Sequence, residues 1–168
     1  KNINTICEKN KIKNKKFDVI TRFSHDKNIV MLIYSLKNFF NKNKEYICYL
    51  VGYENENIQK YLKIIVNYLN LEKYILFEGY QDNIIKYYEI FDFIILPSVS
   101  EGCPYNLLEA MHLGVPIITT NIGGNHEILT PDSCLFLEYE NIKEYEKNTL
   151  FMTNYNKDLE LIGYYNIN

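Results

Sequence analysis

The sequence predicts a doubly wound α/β fold, a Rossmann-like parallel sheet with helices on both faces. Apolar runs of four to six residues, such as FIILP, alternate about six times with longer stretches of helical period. No internal repeat or low-complexity linker interrupts that alternation after residue 16. At 168 residues the chain suits one domain. A domain of this size buries roughly 70% of the surface its unfolded chain exposes, so a full core forms without staples.

The elements follow in order. Residues 17–23 (FDVITRF) read as a strand, and residues 28–40 as a helix whose Ile29, Leu32, Ile33, Leu36 and Phe40 share one apolar face. A strand over 46–52, closed by Gly52, precedes a helix over 58–70. A strand over 74–79, a short helix near 83–90 and a strand over 92–97 come next. Gly102 and Pro104 then break regular structure, whereas LLEAM is a run of strong helix formers, so a helix spans roughly Pro104 to Leu113. A strand over 115–120, a helix from about Gly124 and a short strand over 134–137 follow, and weaker helices near 141–152 and 157–165 close the chain.

Composition removes several function classes. The net charge of -3 argues against a nucleic-acid partner, whose phosphates call for a basic face. Cys7, Cys48, Cys103 and Cys134 form no CxxC pair, and His25, His112 and His126 lack metal-ligand spacing. A reducing compartment and no metal site are expected. No apolar run approaches the ~18 residues of a membrane span, and no secretory signal is expected. The chain opens on Lys1 with a polar, lysine-rich stretch, so residues 1–16 read as a linker from a preceding domain and residues 17–168 as the domain itself.

In doubly wound sheets ligands bind beyond the carboxyl ends of the strands. Arg22, Gly52, Gly79, Glu101, Gly123 and Gly124 all fall at or just after predicted strand ends. Arg22 is the only arginine of the chain, and a guanidinium makes paired bonds to phosphate that lysine cannot copy. With Lys27 in the turn RFSHDK it can neutralise a diphosphate, although a lone lysine there also suits a first helical turn facing water. Glu101 sits on a loop and can contact a sugar. Glu109, beside Leu107, Leu108 and Met111, can hold the vicinal hydroxyls of a ribose if partly buried, or lie on an exposed helix face. Two carboxylates also fit glycoside hydrolysis, which has no use for the cation pair and helix terminus nearby. The glycine pair opens a helix and offers N–H groups to an anion. The aspartates form no DxD, so charge on a leaving diphosphate falls to side chains and backbone, and no GxGxxG marks a dinucleotide cofactor. The Cys103 and His112 side chains have no partner in sequence and read as structural.

The segment SEGCPYNLLEAMHLGVPIITTNIGG followed by HE, with RFSHDK, YLVG and ILFEGYQDNIIKYYEIFDFIILPS, resembles the carboxyl-terminal domain of GT-B glycosyltransferases, in particular the retaining family 4, over roughly residues 17–138. The resemblance implies one half of a GT-B fold that transfers a glycosyl group from a UDP- or GDP-sugar with retention and without a metal or other cofactor. It implies that Glu109 holds the ribose, Glu101 contacts the donor sugar, and Arg22 and Lys27 hold the diphosphate. Backbone at Gly102, Cys103, Pro104, Tyr105, Asn106, Leu107, Gly123 and Gly124 assists, Gly52 lies at the same edge, and Tyr80 approaches the base. Thr21 departs from the pattern, since glycine usually precedes the arginine. The acceptor, a glycan or lipid, is expected on an amino-terminal domain outside this chain. The expected location is cytoplasmic, peripheral to the membrane at most through other parts. A non-catalytic nucleotide-sugar-binding module, or an epimerase or phosphorylase of the same architecture, remains an alternative.

Overall fold

The structure is a computed structural model that describes residues 16–137. The linker over 1–15 and the helices expected near 141–152 and 157–165 lie outside the described residues. Six strands form one sheet: β1 (Lys16–Ile20), β2 (Ile47–Val51), β3 (Ile75–Gly79), β4 (Phe93–Leu96), β5 (Ile117–Thr120) and β6 (Leu135–Leu137). Between them run α1 (Ile29–Lys42), α2 (Glu56–Tyr68), α3 (Ile85–Ile90), α4 (Tyr105–His112) and α5 (Gly123–Ile128). All pairings are parallel, in the order β3-β2-β1-β4-β5-β6. The predicted fold class is the observed one.

The apolar runs read as continuous because β1, β4 and β5 lie inside the sheet and are covered on both faces. Successive side chains alternate between two cores. Phe17, Val19, Cys48, Leu50, Phe93 and Ile95 meet α1 and α2 on one face, and Phe17 stacks on Phe93 with ring centroids 4.8 Å apart. Ile20, Val51, Ile94, Leu96 and Ile117 meet Tyr87 and Tyr88 of α3 and Leu107 and Ala110 of α4 on the other. The face predicted for α1 is buried at all five positions. Asn55 caps α2 by accepting the Ile58 N–H at 3.0 Å.

Most boundaries move by one to three residues from the expectation, and the two ends of β1 are the most informative. Lys16, assigned to the linker, begins β1, because its backbone exchanges bonds with Asp92: N–H to Oδ2 at 2.8 Å, and the Asp92 N–H to the Lys16 carbonyl at 2.9 Å. Side-chain composition does not report that pairing. At its other end β1 stops at Ile20 rather than at residue 23, and the apolar pattern persists because Phe23 drops from the turn into the first core, edge-on to Phe77.

Strand addition proceeds from β1 through β2 to β3 on one side and from β4 through β5 to β6 on the other. The reversal between β1 and β4 is a topological switch point, and the loops leaving those two strands border its crevice. Those loops carry Arg22 to Lys27 and Ser98 to Pro104.

Candidate functional site

The two loops at the switch point are joined. A short 3-10 turn, His25–Lys27, ends at Asn28 in a left-handed conformation that asparagine tolerates (φ 56°). The Asp26 carbonyl accepts the Val99 N–H of the other loop at 2.8 Å. Across that link Lys27 Nζ lies 2.7 Å from Glu101 Oε1 and 3.1 Å from Asp26 Oδ2. The Lys27 side chain is 16% exposed and that of Glu101 is 7% exposed, so Lys27 does not face water as a first-turn lysine would. The hydroxyl of buried Ser98 donates to the same Glu101 oxygen at 2.6 Å. Burial works against the charge of Asp26, but hydrogen bonding to neighbouring side chains and the Lys27 ammonium hold its carboxyl below the ordinary value.

Gly123 and Gly124 explain how the Glu101 loop is held. The Gly124 N–H donates to the Glu101 carbonyl at 2.9 Å. A Cβ on Gly123 would collide with the Glu101 carbonyl oxygen, and one on Gly124 with that of Gly102. Only glycine permits this approach. The sequence predicts an N–H cradle for an anion at this pair, but the Gly124 donor is spent on the protein's own loop.

Glu109 is half-buried on α4, and its Oε2 accepts the Tyr88 hydroxyl at 2.9 Å. The same hydroxyl lies 3.1 Å from the Asn106 carbonyl. Burial first, then the hydrogen bond and charge of Glu109, push the Tyr88 phenol far above its ordinary value, so it remains a donor. The Asn106 amide donates to the Ile20 carbonyl at 2.8 Å and fastens the start of α4 to the end of β1. At the start of α4 the Leu107 and Leu108 N–H groups bond the Pro104 carbonyl, so the orphan donors of this helix start are those of Tyr105 and Asn106, where the Glu101 loop leads in.

Arg22 stands apart. Its side chain is 66% exposed, and its Nε lies 3.4 Å from Glu54 Oε2. Gly52 has φ 140°, and a Cβ there would collide with the Thr21 carbonyl, so this glycine lets the ends of β1 and β2 close together. Tyr80 and Tyr105 are each 74% exposed. Gly102 and Cys103 are exposed and Pro104 is buried, so the Cys103 side chain is not a core residue. Leu107 is a core side chain whose N–H is taken by Asn106 Oδ1 at 3.0 Å.

Several polar residues that sequence reasoning passed over support this edge. Thr120 donates its hydroxyl to the Ser98 carbonyl, and Thr119 to that of Leu96 at 2.8 Å. Asn125 bridges both threonines, through Thr119 Oγ1 at 2.9 Å and the Thr120 carbonyl at 3.0 Å. The available signal was a polar residue ending each apolar run, the serine of FIILPS and the threonines of IITT. Asp18 was also passed over. It is wholly buried within β1, no side chain among the described residues bonds its carboxylate oxygens, and burial pushes its pKa well up.

Fold and site together define a Rossmann-type α/β domain with charged and hydroxyl-bearing grips gathered at its switch point. The family model of glycosyl transferases group 1 matches residues 2–166, and the chain belongs to that family. Over 115 residues it is 34% identical to the capsular polysaccharide biosynthesis glycosyltransferase CapH of Staphylococcus aureus, a match covering 67% of this chain and 32% of that protein. The chain thus spans about a third of that relative's length. The solved C-terminal domain of a glycosyl transferase group 1 family protein (LpcC) from Francisella tularensis has the same fold, at TM-score 0.66 and 21% identity over 95% of this chain and 85% of that one. Anabaena HepE, solved in complex with UDP-glucose, matches at TM-score 0.67 and 20% identity over 90% of this chain and 44% of that one.

Proposed function

We propose that this chain is the donor-binding half of a retaining glycosyltransferase that takes a UDP- or GDP-sugar. The observation that carries the reading is the state of Glu101. Its carboxylate sits at the switch point with Oε1 held by Lys27 and Ser98, leaving Oε2 for a sugar hydroxyl. Exposed Arg22 leaves the adjacent strand as a phosphate partner. Family membership supports the reading, as does a shared fold with HepE, whose complex holds UDP-glucose.

In this reading Arg22 leaves Glu54 for the diphosphate, Lys27 keeps Glu101 and trades its weaker contact with Asp26 for a phosphate oxygen, and the start of α4 adds its dipole. Glu109 accepts ribose hydroxyls through Oε1, and Tyr80 flanks the base. The bond from the anomeric carbon to phosphate breaks, a bond to the acceptor oxygen forms on the same face, and a phosphate oxygen of the leaving group takes the acceptor proton. No enzyme nucleophile is required. Side chains and backbone meet the charge on the departing diphosphate without a metal, a reading supported by the lack of a DxD sequence.

The acceptor, a glycan or lipid, and further catalytic groups belong to a second α/β domain. The described cysteines Cys48, Cys103 and Cys134 are free thiols, which supports a cytoplasmic setting. Alone, the chain binds nucleotide diphosphate weakly and transfers no sugar. Calorimetric titration with UDP and GDP, with and without EDTA, tests this. Binding that persists in EDTA and weakens in Arg22→Ala and Glu109→Ala is expected. Failure to bind either nucleotide would sink the reading, and loss of binding in EDTA its metal-free form.

A further inference from the structure

Both glutamates are gripped from behind through one oxygen by a buried hydroxyl. Ser98, fully buried, donates to Glu101 Oε1 at 2.6 Å. Tyr88, 2% exposed, donates to Glu109 Oε2 at 2.9 Å. Among the described residues no hydrogen bond ends on Glu101 Oε2 or Glu109 Oε1. One oxygen of each carboxylate is therefore held by a hydroxyl, and no described residue bonds the other.

The supports are themselves anchored. Ser98 is tied through its carbonyl to Thr120, and Asn125 joins Thr119 to the Thr120 carbonyl. Ser98, Thr119, Thr120 and Asn125 are at most 2% exposed. Burying so many polar groups at two strand ends adds little net stability, because each bond formed replaces one to water. What the network does supply is a fixed position for the loop carrying Glu101. Tyr88 does the same for Glu109 from α3, since it reaches both Glu109 and the Asn106 carbonyl at the start of α4.

We propose that Ser98 and Tyr88 are positioning residues for donor recognition, Ser98 aiming Glu101 at the sugar and Tyr88 aiming Glu109 at the ribose. The inference rests on the donor-binding reading above and assigns different parts of the donor to the two hydroxyls. A carboxylate free to rotate would lose order on binding, and prior fixing of its rotamer removes that cost. Ser98→Ala removes one oxygen and leaves the bond from Thr120 to the Ser98 carbonyl in place, whereas Tyr88→Phe removes the contacts to both Glu109 and the Asn106 carbonyl.

The test is calorimetric titration of the chain and its variants with UDP and with UDP-glucose, with GDP and GDP-mannose as the parallel pair. Tyr88→Phe is expected to weaken nucleotide and sugar nucleotide alike, by about tenfold. Ser98→Ala should leave affinity for the nucleotide unchanged and weaken only the sugar nucleotide, by roughly three- to tenfold. In a Glu101→Ala background Ser98→Ala should add nothing, and in a Glu109→Ala background neither should Tyr88→Phe. A merely structural role predicts additive losses in these double variants, and that result would overturn the proposal. So would equal weakening of both ligands by Ser98→Ala. If Ser98→Ala unfolds, Ser98→Cys keeps the volume with a weak donor and carries the same comparison. Binding that responds to Arg22→Ala and Glu109→Ala but not to these variants overturns the positioning roles alone. No binding by the parent chain overturns both readings.

Discussion

Arg22 and Lys27 leave the same strand with the same charge and occupy opposite surroundings. Arg22 is 66% exposed and meets the half-buried Glu54 at 3.4 Å, a long contact through a solvated guanidinium of a kind that contributes about 0–1 kcal/mol. Lys27 is 16% exposed and meets Glu101 at 2.7 Å and Asp26 at 3.1 Å. The first cation is free to change partners. The second is part of the construction, because removing it leaves the Glu101 carboxylate desolvated and without its counter-charge. One site thus holds a mobile and a fixed cation.

The largest effect should come from Lys27→Met. Stability should fall by about 2–3 kcal/mol, and affinity for UDP or GDP by a hundredfold or more. Urea denaturation read beside calorimetry checks both. A Lys27→Met variant of parent-like stability would break the contrast, since it would place Lys27 in the same class as Arg22.

Asp18 sharpens the contrast from the other side, as a buried carboxyl with no cation beside it among the described residues. Burial raises its folded-state pKa, so the folded chain keeps a proton that the unfolded chain has already released. Its cost is absent below the ordinary carboxyl value of ~3.9 and grows as pH rises toward the raised value, by at most about 1.4 kcal/mol per pH unit. Asp18→Asn should therefore be more stable than the parent at pH 8, and the gap should close toward pH 4. Parallel stability curves for the two proteins would show that Asp18 is not held protonated.

These differences mark what was readable in advance. The strands were legible because both-face burial writes unbroken apolar runs, and Glu101 and Glu109 stood out by their place around a helix start. Asp18 was not legible as buried, since FDVI reads equally well as a strand with one solvated face. It becomes buried only because β1 lies between β2 and β4, a fact of topology. Lys27 drew notice beside Arg22, but its burial was hidden in the same way: its partner Glu101 is 74 residues away, and local pattern leaves such a lysine free to face water. Tyr88 and Glu109, 21 residues apart, meet only because α3 and α4 share one face of the sheet. Arg22 drew notice as the sole arginine, although residue type gave no sign that it would be the more exposed cation.

A smaller effect is expected from Arg22→Ala. Its exposed pair with Glu54 contributes little, so stability should stay within about 0.5 kcal/mol of the parent. Nucleotide affinity should fall about tenfold, from one lost charge-assisted contact. A stability loss as large as that of Lys27→Met would show that Arg22 also builds the fold.

The smallest effect tests whether Lys27 can serve ligand as well as structure. Asp26, Lys27 and Glu101 together carry a net charge of -1, so an incoming diphosphate meets repulsion and competes with two carboxylates for one ammonium. Asp26→Asn removes one competitor while retaining the Asp26 carbonyl that accepts the Val99 N–H. UDP affinity should rise about two- to fivefold, modest because the Asp26 side chain is 37% exposed and screened by water. The gain should shrink at high salt and vanish in Lys27→Met, as titrations at two ionic strengths would show. The Asp26 carboxyl lies below its ordinary value in the folded chain, so its own contribution to stability is present at neutral pH and fades as pH falls through the lowered value. Asp26→Asn should accordingly lose a little stability at pH 7 while gaining affinity. A loss of both would mean that Asp26 orients Lys27 for the diphosphate instead of competing with it.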